Sequence, residues 1–293
     1  MIIVRLIGGL GNQMFQYAAA RRLAYKLGVD LKLDISGFKD YKDREYWLGN
    51  FNIHEKFASQ AEIKELLDKK RGRAGRLISC LLQKPVMSSA WISERHFHFN
   101  PSILSLTDGV YLNGHWVSEK YFVDIEKIIR QEFTVKTPQT SKNREISEKI
   151  VSTDSVSIHI RRGDYLTNPK FAKFFVTCGP DYYLQCVEQT AESVKDPHFF
   201  VFGDDPEWAR NNLKLSYDTI VCDHNGPDKA HEDLRLISQC KHHIIANSTF
   251  SWWGTWLNPR KDKKVFAPKQ WFSEKIQASR NMDDLLPEGW QKR

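Results

Sequence analysis

Ser157-Ile158-His159-Ile160-Arg161-Arg162-Gly163-Asp164 closes a short apolar run and opens a loop. In an extended strand, successive side chains alternate between faces. Val156, Ile158 and Ile160 therefore share one face, and Ser157, His159 and Arg161 share the other. A histidine and an arginine point the same way where the strand stops, and Arg162 enters a turn made by Gly163 and Asp164. Such charge is costly at a buried strand end unless something anionic is held there. The stretch reads as a site for the phosphates of a nucleotide, with the rest of the chain built around it.

An alternating series follows. A helix is predicted over 181–192, behind Pro180. His198–Phe202 is a strand ending in Gly203-Asp204-Asp205, and a helix opens at Pro206. Ile220–Cys222 is a short strand and His231–Cys240 a helix. His243–Asn247 is a strand running into Ser248-Thr249-Phe250, where another helix begins. This alternation implies a parallel sheet with helices on both faces, and in such sheets ligands lie off the carboxyl ends of the strands. Three strand ends carry polar groups there: His159, Arg161, Arg162 and Asp164; Asp204 and Asp205; Asn247, Ser248 and Thr249. An arginine fork matches phosphate oxygens. A helix start offers free N–H groups and the positive end of its dipole. A carboxylate can accept from the two N–H donors on one edge of guanine. The plainer readings are that Asp164 only clamps an arginine and Ser248 only caps a helix.

The first half opens similarly. Ile2–Ile7 reads as a buried strand, Gly8–Gln13 as a glycine loop, Met14–Leu27 as a helix closed by Gly28, and Leu31–Asp34 as a second strand. Gly9, Gly11 and Asp34 fit a dinucleotide fingerprint, but Met14 occupies the third glycine position, so an oxidoreductase built on this loop is disfavoured. The loop reads instead as backbone approaching a ligand, with Asn12 and Gln13 inside the turn. A helix over 61–83 ends strongly basic, from Lys69 to Arg76. That run is either a solvated face or a surface for anionic lipid or a lipid-linked acceptor. Tyr111–Trp116 leads from strand to turn, and Ser118–Phe133 reads as a helix with Glu119 early in it. Thr134–Arg144, rich in Thr, Lys, Pro and Ser, reads as a linker. The boundary is placed at residues 140/141, giving domains 1–140 and 141–293, with the last helix packing back on the first.

The bulk composition agrees. A chain of 293 residues accommodates two domains, and 41% hydrophobic with 27% charged residues is globular, not disordered. No apolar run approaches the ~18 residues of a membrane span, and Arg5 interrupts what could otherwise be a signal peptide. The expected location is the cytoplasm, with peripheral membrane contact through Lys69–Arg76. The net charge of +7 suits an anionic ligand, a membrane surface or nucleic acid, but no nucleic-acid motif occurs, so no nucleic-acid partner is expected. Five cysteines without a C-x-x-C pair read as buried, reduced thiols. No Asp-x-Asp triplet exists to hold a metal on a diphosphate, so Arg161 and the Ser248 helix start would stabilise the leaving group.

Three stretches together resemble a known family. Gly8-Gly9-Leu10-Gly11-Asn12-Gln13-Met14-Phe15-Gln16-Tyr17, His159-Ile160-Arg161-Arg162-Gly163-Asp164-Tyr165 and Ala246-Asn247-Ser248-Thr249-Phe250-Ser251-Trp252-Trp253-Gly254 resemble bacterial alpha-1,2-fucosyltransferases, glycosyltransferase family eleven. Smaller patches agree, among them Ser118–Phe122, Phe202–Asp205, Glu232-Asp233-Leu234 and Leu286–Trp290. The resemblance implies an α/β, GT-B-like fold with two Rossmann-like domains facing across a cleft. It implies an acceptor-side first domain and a GDP-fucose-binding second one. It also implies inverting transfer of L-fucose to the 2-hydroxyl of a terminal galactoside, with a galactose-terminated oligosaccharide as partner and neither cofactor nor metal. Arg161 carries over as the pyrophosphate-binding, catalytic arginine. His159 would lie beside the nucleotide, Asp204 or Asp205 on guanine, Ser248, Thr249 and Phe250 along the diphosphate, and Gly11 and Asn12 toward the reaction.

Gly114-His115-Trp116-Val117 departs from the Gly-Tyr-Phe-Gln common in relatives. This segment, with Glu119, is placed on the acceptor side. No Asp, Glu or His occurs between Tyr165 and Pro180, so a base from that loop is excluded. Asp34, His115 and Glu119 remain as bases from elsewhere, or the diphosphate itself takes the acceptor proton. The alternatives are another fucosyl linkage or acceptor, or a non-catalytic nucleotide-sugar or glycan-binding protein.

Overall fold

The computed structural model describes residues 1–40, 44–69 and 89–293. The chain forms two compact units. One holds residues 1–133 and 281–285, the other 134–280 and 286–293. Each is built on a wholly parallel sheet, the α/β class expected from the alternation of elements.

In the first unit, strands β1 (Ile2–Arg5), β2 (Leu31–Asp34), β3 (Trp91–Ser93) and β4 (Val110–Asn113) lie in the order β2-β1-β4-β3. Ile2, Ile3 and Val4 are all fully buried, which is why this strand reads as a continuous apolar run. The helix Leu10–Leu27 begins directly after Gly8 and Gly9, separated by four residues from the end of β1. The expected six-residue glycine loop is thus corrected: Gly11, Asn12 and Gln13 belong to the first turn of the helix. Gly9 sits at its N-cap in extended backbone, and Gly8 takes the left-handed bend at φ 77°. Gly28 closes the helix in the left-handed conformation.

The expected helix over 118–133 is also corrected. Ser118 caps a single 3-10 turn at Glu119–Tyr121, a second turn spans Val123–Ile125, and only Glu126–Glu132 is α-helical. Aromatic Tyr121 and Phe122 are buried here, and their packing overrides helical propensity. A helix occupies Gln60–Lys69; beyond Lys69 the basic run lies outside the described residues. The turn at 281–285 joins this unit: Asp284 accepts from the Phe99 N–H at 3.1 Å and pairs with Lys120. It carries no helix.

In the second unit, strands β5 (Asp154–Ile160), β6 (Pro197–Gly203), β7 (Thr219–Val221), β8 (His242–Ile244), β9 (Val265–Ala267) and β10 (Gln291–Lys292) lie in the order β10-β9-β8-β5-β6-β7. Helices cover both faces. Val156, Ile158, Ile160, Phe199 and Val201 pack with Tyr183, Cys186 and Val187 of the helix Pro180–Ala191. Phe200 and Phe202 pack on the other side with Ile146 and Ile150 of the helix Ser141–Ser152, and with Leu236 and Ile237 of the helix Ala230–Gln239. The first of these two helices begins inside the stretch read as linker, where Thr140 caps it through the Asn143 N–H at 3.2 Å. The described cysteines Cys178, Cys186, Cys222 and Cys240 are buried free thiols. Among the described residues no helix is long and apolar enough to cross a membrane.

Candidate active site

The second sheet changes direction at β5. From β5 the chain builds outward through β6 to β7, then returns to lay β8, β9 and β10 on the other side. A crevice opens off the carboxyl ends of the two strands flanking such a reversal. Here they are β5 and β8, which deliver His159-Ile160-Arg161 and Ala246-Asn247-Ser248.

Arg161 leaves the end of β5 between two carboxylates. One Nη donates to Asp204 at 2.7 Å and the other pairs with Asp164; the guanidinium also lies over the Tyr165 ring, 5.1 Å from its centre. Burial works against its charge, but Asp204 and Asp164 outweigh it and raise the guanidinium above its ordinary value. Two of its five N–H donors go to the aspartates, leaving the rest of the fork available. Arg162 turns away: its Nε donates to Asp205 at 3.1 Å and it stacks on Trp208 at 4.4 Å. The bracing of Asp164 thus falls to Arg161, and Arg162 braces Asp205. Gly163 is tightly seated, since a Cβ there would lie 2.9 Å from the Asp204 carboxylate.

The base-holding role expected of Asp204 and Asp205 meets this geometry. Asp204 also accepts from the Arg162 backbone N–H at 2.7 Å, and Asp205 caps the helix Pro206–Asn212 through the Trp208 N–H at 3.0 Å. Both carboxylates are held by arginine and backbone, so they orient the clamp. A different carboxylate is less committed. Asp233 sits in the first turn of the helix Ala230–Gln239 and accepts from Asn225 at 2.8 Å; burial pushes it up to about 7. Its motif stood out in the sequence, but nothing local marked it as a buried acid.

His159 is buried on the face opposite Ile158 and Ile160, as alternation predicts. Its ring lies 5.3 Å from that of Phe250, its Nδ1 has no hydrogen-bond partner among the described residues, and burial with the nearby charge of Arg161 pushes it down to about 3. It is neutral at physiological pH. Ser248 is the N-cap of the helix Thr249–Leu257, its Oγ accepting from the Phe250 N–H at 3.3 Å. Thr249 and Phe250 stay half-buried at that helix start. Asn247 is spent on structure, donating to the Val176 and Trp271 carbonyls at 2.8 Å each. Tyr165 reaches back to the Asn247 carbonyl at 3.0 Å and so ties the arginine turn to the end of β8.

The first unit holds the other expected residues. Gly11 is buried, and Asn12 lies half-buried over Gly8, where a Cβ would come within 2.8 Å of its amide nitrogen. Gln13 is fully buried and holds the Gly8 and Glu45 carbonyls and the Trp47 N–H. His115 and Glu119 are half-buried. Trp116 is 1% exposed and packs edge-on against Tyr121, so its ring shapes the turn and does not offer a surface to an acceptor. Asp34 is buried and accepts from the Tyr111 hydroxyl at 2.6 Å and the Ser36 N–H at 2.9 Å, which removes it as a free base.

Residues 81–292 match the model of a family described as Glycosyl transferase family 11. The chain is 33% identical over 294 residues to an alpha-1,2-colitosyltransferase of Escherichia coli, covering 99% of this chain and 98% of that protein. It is 32% identical over 296 residues to the O-antigen biosynthesis glycosyltransferase WbnK of the same organism, covering 96% and 98%. A galactoside alpha-(1,2)-fucosyltransferase 1 of Rattus norvegicus is 29% identical over 181 residues, covering 57% of this chain and 45% of that one. A parallel α/β unit with an arginine clamp at its switch point, in a chain with these relatives, is a glycosyltransferase. The chain belongs to glycosyl transferase family 11.

Proposed function

We propose that the protein transfers L-fucose from GDP-fucose to the 2-hydroxyl of a terminal galactoside, with inversion and without a metal. The observation that carries this reading is that Arg161 and the Ser248-capped helix start follow the carboxyl ends of the adjacent strands β5 and β8, where the sheet reverses. The diphosphate is held between the free part of the Arg161 fork and the positive end of the helix Thr249–Leu257. His159 and Phe250 flank it, and Asp233 takes guanine, since Asp204 and Asp205 are committed to the arginines.

The acceptor hydroxyl attacks the anomeric carbon from the side opposite GDP. The bond from that carbon to the diphosphate oxygen breaks, and its electron pair leaves with GDP. Arg161 and the helix start absorb the growing charge, a contribution whose loss costs roughly a hundredfold or more in such sites. The acceptor proton passes through solvent to the departing diphosphate, which leaves on the opposite face. A galactose-terminated O-antigen unit is the acceptor class that the named relatives favour.

Colitose is the second reading for the transferred sugar, favoured by the 33% identical relative. Incubation with GDP-fucose or GDP-colitose and lactose, followed by NMR analysis of the product linkage, separates them. An α-1,2-fucosylated product supports the proposal; product from GDP-colitose alone replaces the sugar, and no product from either removes the activity.

A further inference from the structure

The first unit carries a polar row that the donor site does not use. Parallel register places Asp34 beside Arg5, and one step beyond the Val4–Leu112 pair places Arg5 beside Asn113, which is paired with Ser93. These four residues stand side by side on β2, β1, β4 and β3, at the carboxyl edge of the sheet where β1 and β4 flank its own reversal. In register on parallel strands, they project to one face.

Arg5 is the anomaly in the row. It is half-buried and, among the described residues, forms no ion pair and makes one side-chain hydrogen bond, from Nη1 to the Asn113 Oδ1 at 3.3 Å. Asp34 is its register neighbour, yet its oxygens are taken by Tyr111 and Ser36. Nη2 and Nε lie beside Gly37, where even an added Cβ would stay 3.7 Å and 3.9 Å away. A half-buried guanidinium with most of its donors unspent is costly unless a ligand completes it. Asn113 and Ser93 continue the row, Asn113 Nδ2 reaching the Ser93 hydroxyl at 3.5 Å.

The row is also held rigid. Glu94, just past β3, accepts from the His115 N–H at 2.7 Å and the Trp116 N–H at 3.0 Å, while its own N–H donates to the Asn113 carbonyl at 3.0 Å. Trp116 stands at φ 55°, a left-handed conformation rare for a bulky residue, and a side chain at Gly114 would collide with Glu94. Strain of this kind persists where the surroundings over-determine it, and it gathers at functional sites.

We propose that this row is a saccharide subsite of the first unit, with Arg5 as the residue that selects the acceptor. Arg5 and Asp34 together carry no net charge, and the row mixes donors with acceptors. That chemistry suits the adjacent hydroxyls of a neutral sugar in the acceptor glycan, bound by the arginine fork with Asn113 and Ser93 beside it. The identity of the ligand as acceptor rests on the proposed function; the existence of the subsite does not.

The test compares wild type, R5A and R5K with GDP-fucose and lactose, reading both KM values and GDP-fucose hydrolysis without acceptor. R5A should raise the lactose KM about tenfold or more, as loss of hydrogen bonds from a charged donor does, with donor KM and hydrolysis unchanged. R5K should recover only part, because an ammonium lacks the fork. An unchanged lactose KM in R5A, or an equal rise in donor KM, overturns the subsite. If wild type transfers no fucose, the donor reading fails by itself. Saturation-transfer NMR of lactose then decides the subsite: signal with wild type and none with R5A upholds it, while equal signals or no wild-type signal overturns it.

Discussion

Arg161 and Arg162 are neighbours in sequence with different work. Alternation along β5 separates them: one guanidinium lies between Asp164 and Asp204, the other on Trp208 and Asp205. The sequence showed two arginines at a strand end and two aspartates at another, but not which pairs with which. That depends on register, since Ile160 stands opposite Gly203 and so brings Asp204 alongside Arg161 across 43 residues of chain. Asp233 was illegible for a related reason, because its burial comes from helix packing. Its carboxyl is raised to about 7 by burial, with the charge of Glu232 adding and the Asn225 hydrogen bond opposing. The folded protein therefore keeps this proton to higher pH than the unfolded chain does. The Asp233 contribution to stability is present at low pH and falls as pH rises from the ordinary carboxylate range through 7. Asp233→Asn removes that dependence. Thermal denaturation should show the melting temperature of the variant minus that of wild type rising from pH 5 to pH 8; a difference that stays constant or falls with rising pH contradicts the assignment.

At the scale of elements, the long apolar strands and their glycine ends were legible, and short or capped pieces were not. β9 and β10 have three and two residues, too few to carry a period. The helix Ser141–Ser152 hid in a Ser- and Lys-rich stretch because its buried residues Ile146 and Ile150 are sparse. The glycine loop was over-read, since Gly11 is compatible with a helix that starts one residue before it. Gly203 shows the opposite case. It ends β6 at φ 152°, and a Cβ there would collide with the Ile160 carbonyl at the end of β5. Gly203→Ala strains the junction that aligns Asp204 with Arg161. It should destabilise the protein by about 1–3 kcal/mol, the usual cost of a strained backbone position, and lower transfer by more than the unfolded fraction explains. Denaturant titration with an activity assay checks both, and a variant as stable and active as wild type contradicts the role given to this glycine.

Across the whole molecule, both sheets are parallel and both reverse at their first strand, β1 in one unit and β5 in the other. The two polar strand-end sites follow from that shared topology. The two-unit α/β plan was legible because alternating elements and polar strand ends need only local pattern; the resemblance of three motifs then supplied the family. Acceptor recognition was less legible, because the row from Asp34 to Ser93 draws on residues up to 108 apart, as in the Arg5–Asn113 bond. If Arg161 and the helix start carry the diphosphate charge, transfer should proceed undiminished in EDTA. Loss of turnover in chelator, restored by magnesium or manganese, contradicts that arrangement.

The most direct measurement is calorimetric titration of GDP and of guanosine into wild type and Arg161→Ala. The clamp at the β5/β8 reversal predicts that the variant, folded by circular dichroism, loses GDP affinity by about a hundredfold, as removal of a charge-assisted phosphate contact does, while guanosine binding is unchanged. A folded variant that binds GDP as tightly as wild type contradicts the assignment of Arg161 to the diphosphate.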